Sequence, residues 1–435
     1  MEDFAELIRL SLELPRGYIS KKVIKGKLYH YLQYFENGKK VSKYIKEEDL
    51  SKTIEQLKKS DEVHKKLVKY ESTSKKMPVV DKRARELTGY LMMEDEVVAS
   101  FKNGQLITIN EKKAPLLIKR THNLSRFLES RSMDRTRVNS RLLQRFLNVS
   151  HEKDDILPLY AHGAVITDNY WFKPMGSRLK YKDVCFDSDM YADIALKGEI
   201  RFFSKKYYLN PQLTLIGSFE KCWKKIDNQW WMYKKGTDKE YFSELFVYEL
   251  CKKFSFDTAI YEYDDGYIKT LNFADKYNFE PMSSIADNDD TFNNSFNLIL
   301  GYGEEFARDY LKIIFMDAFI NNVDRHNENY GFFRNKKTGK IIKMAPNFDN
   351  NMALISRNPL AEDCKRDGFV QLFVKFLKTN QKANELIKTI DFIDLTPQVV
   401  DECINNIPLH IEGDIKKTLL KRYKYLMEVI KKPLK

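Results

Sequence analysis

Residues 313–333 read IIFMDAFINNVDRHNENYGFF. An apolar, helix-like run extends to Ile320. From Asn321 to Asn329 almost every side chain is short and polar or charged, and an apolar strand-like run follows from Tyr330. Asp and Asn favour such junctions because their side chains hydrogen-bond the local backbone, so a helix–loop–strand passage is predicted. A plain surface loop does not need this density of carboxylate and carboxamide oxygens. A loop that holds metal-bound phosphates does, because magnesium takes oxygen ligands. Asp317, inside the apolar run, is expected to accept hydrogen bonds from loop N–H groups rather than to ligate a metal.

Phosphoryl transfer requires a carboxylate for the proton of the attacking hydroxyl, oxygen ligands for Mg²⁺ and a cation on the nucleotide phosphates. Asp324 and Asn329 stand five apart, as do the Asp and Asn of the kinase loop H-R-D-x-x-x-x-N. Downstream, IIKMAPNFDNN (341–351) is a strand-like run ending in Asn347-Phe348-Asp349, which puts a second carboxylate at the end of a short strand. Upstream, the strand-like QWWMYKK (229–235) carries Lys234, and the helical YFSELFVYELCKKF (241–254) carries Glu244. A strand Lys paired to a helix Glu holds the α/β-phosphates in kinases. Lys235 and Glu240 are the alternatives for these two positions. The segment Ile216-Gly217-Ser218-Phe219-Glu220-Lys221 reads as a phosphate-covering turn.

The order Lys, Glu, Asp…Asn, Asp resembles the HipA-like serine/threonine kinases, with N-x-D-R-H-x-x-N at 322–329 and a-P-x-[YF]-D at 345–349. DRHNEN is also similar to the D-R-H-N-x-N loop of phosphatidylinositol 3-kinases. The resemblance covers about residues 160–435 and implies an α+β, two-lobed kinase-like fold. The mainly β lobe would span 160–275 and the mainly α lobe 276–435, with a five- or six-stranded sheet carrying Lys234. It further implies ATP and Mg²⁺ as cofactors, with Asp324 the catalytic carboxylate and Asn329 and Asp349 the metal ligands. Lys234, oriented by Glu244, would hold phosphates with Gly217, Ser218 and Lys221, and His326 would brace the loop. Ser218 would be a site of self-modification. The expected activity is phosphoryl transfer to a protein hydroxyl, in a bacterial toxin–antitoxin or regulatory setting with a small antitoxin-like partner. The alternative is a kinase-like nucleic-acid-binding regulator with weak catalysis; a lipid kinase is a minor third.

The formal charge of +12 is unevenly placed. Residues 1–150 hold 32 Lys and Arg against 20 Asp and Glu, and the remainder holds 42 of each. Two basic α+β units are therefore expected ahead of the kinase-like body. In the first (1–75), three strands separated by Lys25-Gly26-Lys27 and by the hairpin signal Asn37-Gly38 precede a helix over 46–70. Along LYHYLQYF (28–35), Leu28, His30, Leu32 and Tyr34 form the expected core face. Tyr29, Tyr31, Gln33 and Phe35 form a face that needs a partner. The second unit (80–158) has strands around 90–109 and a helix over Arg135–Leu147, with Arg131, Arg135, Arg137, Arg141 and Arg145 as helical neighbours. A front end that binds a polyanion such as nucleic acid is one reading of residues 1–150, and a solvated basic helix surface is the other. No apolar run reaches the about 18 residues of a membrane-spanning helix. Five scattered cysteines without a C-x-x-C pair predict reduced thiols in a cytoplasmic protein.

Overall fold

The computed structural model of the chain describes residues 4–24, 26–36, 39–73, 80–199, 209–286, 289–356, 360, 364–411 and 415–432. The chain forms two compact units. The first comprises Met1–Val79, Asp134–Glu152 and Asp193–Lys206; the second comprises Val80–Met133, Lys153–Ala192 and Tyr207–Lys435.

In the first unit β1 (Tyr18–Ile24), β2 (Lys27–Glu36) and β3 (Lys39–Ile45) form an antiparallel meander. The turn at Asn37-Gly38 lies outside the described residues, although Glu36 and Lys39 on either side of it are paired. The helix Glu47–Thr73 packs against the helix Phe4–Glu13, which also meets the helix Val138–Leu147. The clean division of the sheet into a core face and an open face does not hold. On the expected core face His30 and its cross-strand partner Ile45 are buried, but Leu28 and its partner Val23 are exposed. Among the described residues, the long helix buries only Val63 and Leu67, too little apolar surface to cover a whole sheet face.

The expected row of arginines is also not one exposed face. The helix begins at Val138, so Arg131, Arg135 and Arg137 precede it. Arg131 is buried against Asp168 at 2.5 Å, Arg135 donates to the carbonyls of Ser150 and Glu152, Arg137 is buried, and Arg145 donates to Ser11 Oγ. Of the five, Arg141 alone is exposed.

The second unit holds three antiparallel sheets. β4 (Gly89–Met93), β5 (Glu96–Lys102), β6 (Gln105–Ile109) and β7 (Tyr170–Pro174) form one, in the order β6-β5-β4-β7. The junction expected near 158–160 therefore falls between strands of one sheet. The second sheet, β10-β11-β9-β8, comprises β8 (Lys221–Ile226), β9 (Gln229–Lys234), β10 (Tyr261–Asp264) and β11 (Tyr267–Leu271). It has four strands where five or six were expected, because Tyr170–Pro174 joins β4 instead. Its two hairpins use two-residue turns with positive φ at both central positions, Asp227-Asn228 (48° and 62°) and Asp265-Gly266 (47° and 80°), as the twist of paired strands favours. The third sheet is β12 (Tyr277–Pro281), β13 (Gly331–Asn335) and β14 (Ile341–Met344).

An aromatic-rich core joins the helix Asp238–Phe254 to the later helices: the Phe254 ring lies 6.4 Å from Phe315, 6.4 Å from Phe319 and 5.8 Å from Tyr423. Residues 112–116 are tied to the third sheet by a buried ion pair. Arg334 donates to Glu280 and to the carbonyls of Ala114 and Lys112, each 2.8 Å away, and Glu280 accepts the Leu116 N–H at 2.5 Å. The segment 80–133 is thus integral to this unit. All five cysteines are free thiols. Among the described residues no helix is long and apolar enough to cross a membrane.

Candidate functional site

The third sheet brings the two oxygen-rich loops together. In an antiparallel hairpin the start of one strand lies beside the end of the other. The loop entering β13 and the loop leaving β14 therefore emerge at the same edge, where Phe332 pairs with Met344 and the Ala345 N–H donates to the Gly331 carbonyl at 2.8 Å. The helix Glu304–Ile320 stops at Asn321, whose left-handed φ of 55° makes the C-cap, a conformation that Asn tolerates. Downstream, Asn347 bridges to Thr258 and exchanges backbone hydrogen bonds with Asp257 and Ala259, which carries Asp349 beside β10.

Arg325 locks the two loops. Its side chain is buried against Asp317 in a bidentate pair, Nε and Nη2 each at 2.9 Å. It also donates to the carbonyls of Asn329 (2.8 Å) and Phe348 (2.5 Å) and to the side-chain oxygens of Asn347 (2.9 Å) and Asn350 (2.7 Å). Asp317 accepts from side chains, Arg325 and Asn322 (3.1 Å), where backbone N–H donors were expected. The brace expected at His326 is Arg325: His326 is exposed, and its Nδ1 accepts only the nearby Glu328 N–H among the described hydrogen bonds. Asn329 donates through Nδ2 to the Asp324 carbonyl at 3.0 Å, which leaves its Oδ1 for another partner. The Asp324 carboxylate has no side-chain hydrogen bond or ion pair among the described residues.

Lys234 sits between two carboxylates, with Nζ 2.6 Å from Asp349 and 3.5 Å from Glu244. The alternative residues sit in different surroundings. Lys235 is exposed and Lys234 buried. Glu240 belongs to the capping box of its own helix, taking the Thr237 N–H at 2.7 Å, whereas Glu244 is fully buried and accepts the Asn350 N–H at 2.8 Å. Burial alone would raise the Asp349 carboxyl, but the ammonium groups of Lys234 and Lys221 outweigh it and hold it at about 2. Glu244, more deeply buried and farther from Lys234, is pushed up by desolvation. Burial opposes the charge on Lys234, and Asp349 and Glu244 overcome it and raise its pKa. The Tyr261 hydroxyl accepts the Asp349 N–H at 2.9 Å.

Lys221 and Lys234 are direct cross-strand partners on β8 and β9, and both are buried. Like charges placed opposite each other destabilise a sheet, so this pairing is favourable where anions neutralise it. Both lysines line a cavity of about 320 Å³ together with Asp324, Asn329 and Asp349, a volume at the lower end for small-molecule sites. Gly217 and Ser218 lie on the same wall. Gly217 has φ +101°, a conformation strained for any residue with a side chain, and a Cβ there would also stand 2.3 Å from Lys221 Nζ, displacing it. Glu244 stands behind Lys234, off the wall. Among the described residues no three His, Cys, Asp or Glu side chains converge to hold a metal unaided. Asn329 and Asp349 line the cavity and offer a carboxamide and a carboxylate oxygen, the donor chemistry of Mg²⁺ sites that substrate phosphates and water complete.

A family model, Domain of unknown function (DUF6788), matches residues 2–56. No curated protein matches the chain. Among solved structures, one similar chain belongs to the Shewanella oneidensis MR-1 toxin–antitoxin complex of HipA, HipB and operator DNA. Its identity is 14%, it covers 79% of this chain and 98% of its own, and the TM-score is 0.50. The fold is HipA-like. The Helicobacter pylori proinflammatory kinase CtkA also matches, at 16% identity over 48% of this chain and 92% of its own, with a TM-score of 0.39. The likeness reaches the fold and not the function. It leaves the chemistry to the residues in the cavity.

Proposed function

We propose that the chain is an ATP- and Mg²⁺-dependent protein kinase that phosphorylates a serine or threonine hydroxyl. One observation carries the reading: Lys221, Lys234, Asp324, Asn329 and Asp349 line a single cavity. In this assignment Asp324, unpaired within the described structure, takes or orients the proton of the attacking hydroxyl. Lys234 and Lys221 neutralise nucleotide phosphates, with Lys234 positioned by Glu244, and the Gly217–Ser218 turn covers them. Asn329 and Asp349 would hold Mg²⁺, which would supply electrostatic stabilisation of the charge on the transferring phosphoryl group. Lys234, 2.6 Å from Asp349, is the cation that would meet the nucleotide phosphates beside that carboxylate. Arg325 fixes the separation of the Asp324 and Asp349 loops, so the site requires little reorganisation.

The HipA-like fold and the free thiols support a cytoplasmic protein in a toxin–antitoxin or regulatory setting, with a protein substrate and a small antitoxin-like partner. Ser218 lies on the phosphate-facing turn and is the proposed self-modified residue. A phosphate there adds about −1.5 to −2 charges and repels nucleotide phosphates. Mass spectrometry after incubation with ATP is expected to find it modified in wild type and unmodified in Asp324→Asn. A second reading, a kinase-like regulator that binds nucleotide without transferring phosphate, is favoured by the direct Lys234–Asp349 contact, which engages the metal ligand with an internal cation. Thermal shift with ATP and Mg²⁺ followed by [γ-³²P]ATP incorporation separates the two: a shift with no incorporation into any protein selects the regulator.

A further inference from the structure

The β1–β3 sheet carries a surface unrelated to phosphoryl transfer. Cross-strand register assigns Tyr18, Tyr29, Tyr31 and Tyr44 to one face with Lys22, Lys27 and Lys40. The rings form a ladder: Tyr44 lies 5.9 Å from Tyr29 and 5.7 Å from Tyr31, both inclined. Cations sit over it, Lys22 at 5.0 Å from the Tyr31 centroid and Lys40 at 5.5 Å from Tyr18, whose hydroxyl also accepts from Lys40 at 2.9 Å. The outer rings are open to solvent, Tyr18 at 52% and Tyr44 at 51% exposure. Phe35 belongs to this face by alternation, but its side chain lies outside the described residues. From Tyr18 to Ile45 there are seven lysines and one acidic residue, Glu36. The meander falls inside the segment matched by the family of unknown function.

A protein partner of matching acidity would explain the lysines but would not need four tyrosines in register. A duplex presents its phosphates outside and its bases edge-on, offering nothing to flat rings. Unpaired bases offer a π-face to each ring and a phosphate to each nearby lysine. The tyrosine hydroxyls and Ser42, exposed on the same face, add donors and acceptors for 2′-hydroxyls, which distinguish RNA from DNA. We infer that this face binds single-stranded RNA. The inference does not depend on the kinase assignment.

The test is fluorescence anisotropy of a labelled 12-mer oligouridylate with the full chain over a salt series, alongside the 12-mer oligodeoxythymidylate and a duplex DNA. The oligouridylate is expected to bind most tightly, with a log–log salt slope near −2, since single strands give about −0.7 per neutralised phosphate and three lysines share the face. Tyr44→Ala and Tyr18→Ala are each expected to weaken binding by about tenfold. Tyr44→Phe, which keeps the ring, is expected to retain it. Circular dichroism of each variant matching wild type assigns a loss to the surface rather than to unfolding. Dissociation constants weaker than about 10⁻⁴ M at physiological salt, below ordinary non-specific binding, overturn the inference. So does a preference for the duplex or the deoxy-oligomer, or Tyr44→Ala binding as well as wild type.

Discussion

The loop pair around Arg325 and the sheet β1–β3 are both rich in polar side chains, and the two regions use them in opposite ways. Around Arg325 most polar atoms pair with one another: Asp317, Asn347, Asn350 and the carbonyls of Asn329 and Phe348 all converge on one guanidinium, while Asn350 Nδ2 is buried without a partner among the described residues. The Asp324 carboxylate is left over. In the sheet, lysines and tyrosines touch one another but stay open to solvent. A buried network fixes geometry and leaves a few atoms poised for chemistry. An open ladder fixes little, and its polar atoms remain available to something outside the chain.

This contrast can be broken by mutation, beginning with the largest effect. Arg325→Leu leaves Asp317 buried without its partner and is expected to destabilise the second unit by about 3–5 kcal/mol, as loss of one member of a buried pair does. Chemical denaturation measures it, and a change under 1 kcal/mol would mean that the clamp is not structural. Arg325→Lys keeps the charge but loses the fork and is expected to recover only part of the loss.

The next effect depends on pH. Asp349 is held at about 2 in the folded chain, against about 3.9 for an unperturbed Asp. A depressed carboxylate contributes stability that is present above the unfolded value and lost as pH falls through the folded one. Relative to Asp349→Asn, wild type is expected to be more stable by about 2 kcal/mol at pH 6, with the gap closing between about pH 4 and pH 2. A gap constant across that range would show that Asp349 does not draw its stabilisation from ionisation. The smallest effect belongs to the sheet. Tyr44→Ala removes two cross-strand ring contacts, each worth about 0.2–1 kcal/mol, so a loss of about 0.4–2 kcal/mol is expected. A loss above 3 kcal/mol would make the ladder a core and not a surface.

The legibility of the sequence follows the same division between local and distant partners. The hairpin at Asp264-Asp265-Gly266 and the Asp324-to-Asn329 spacing are local and could be read directly. The capping box from Thr237 to Glu240 was also there to be read, and it separates Glu240 from Glu244, but it was left unused. Asp227-Asn228 is a weaker turn signal than Asp-Gly, so β8 beyond Lys221, the last residue of the 216–221 turn, has no reading in the sequence. The Arg325 clamp was missed because its partners lie up to 25 residues away, although a lone arginine among eight polar or small neighbours was itself a clue. Pairing of β7 with β4 and of Arg334 with Glu280 spans distances that no periodicity reports. That is why residues 80–158 read as a separate basic unit. Their charge also misled: Arg131 and Arg120 are committed inside the fold, Arg131 to Asp168 and Arg120 to the carbonyls of Ser283 and Ser284.

The central claim is that the cavity holds Mg²⁺–ATP and that Asp324 serves the transfer step rather than binding. It is tested by measuring, on wild type, Asp324→Asn and Asp349→Ala, both the thermal shift with ATP and Mg²⁺ and the incorporation of ³²P from [γ-³²P]ATP into protein. Wild type is expected to shift and to incorporate label. Asp324→Asn should shift almost as far while losing at least about 100-fold in incorporation, in the range for removing a general base. Asp349→Ala should lose both the Mg²⁺-dependent part of the shift and the incorporation. Undiminished labelling by Asp324→Asn, or no shift of the wild-type protein at millimolar ATP and Mg²⁺, would contradict the account.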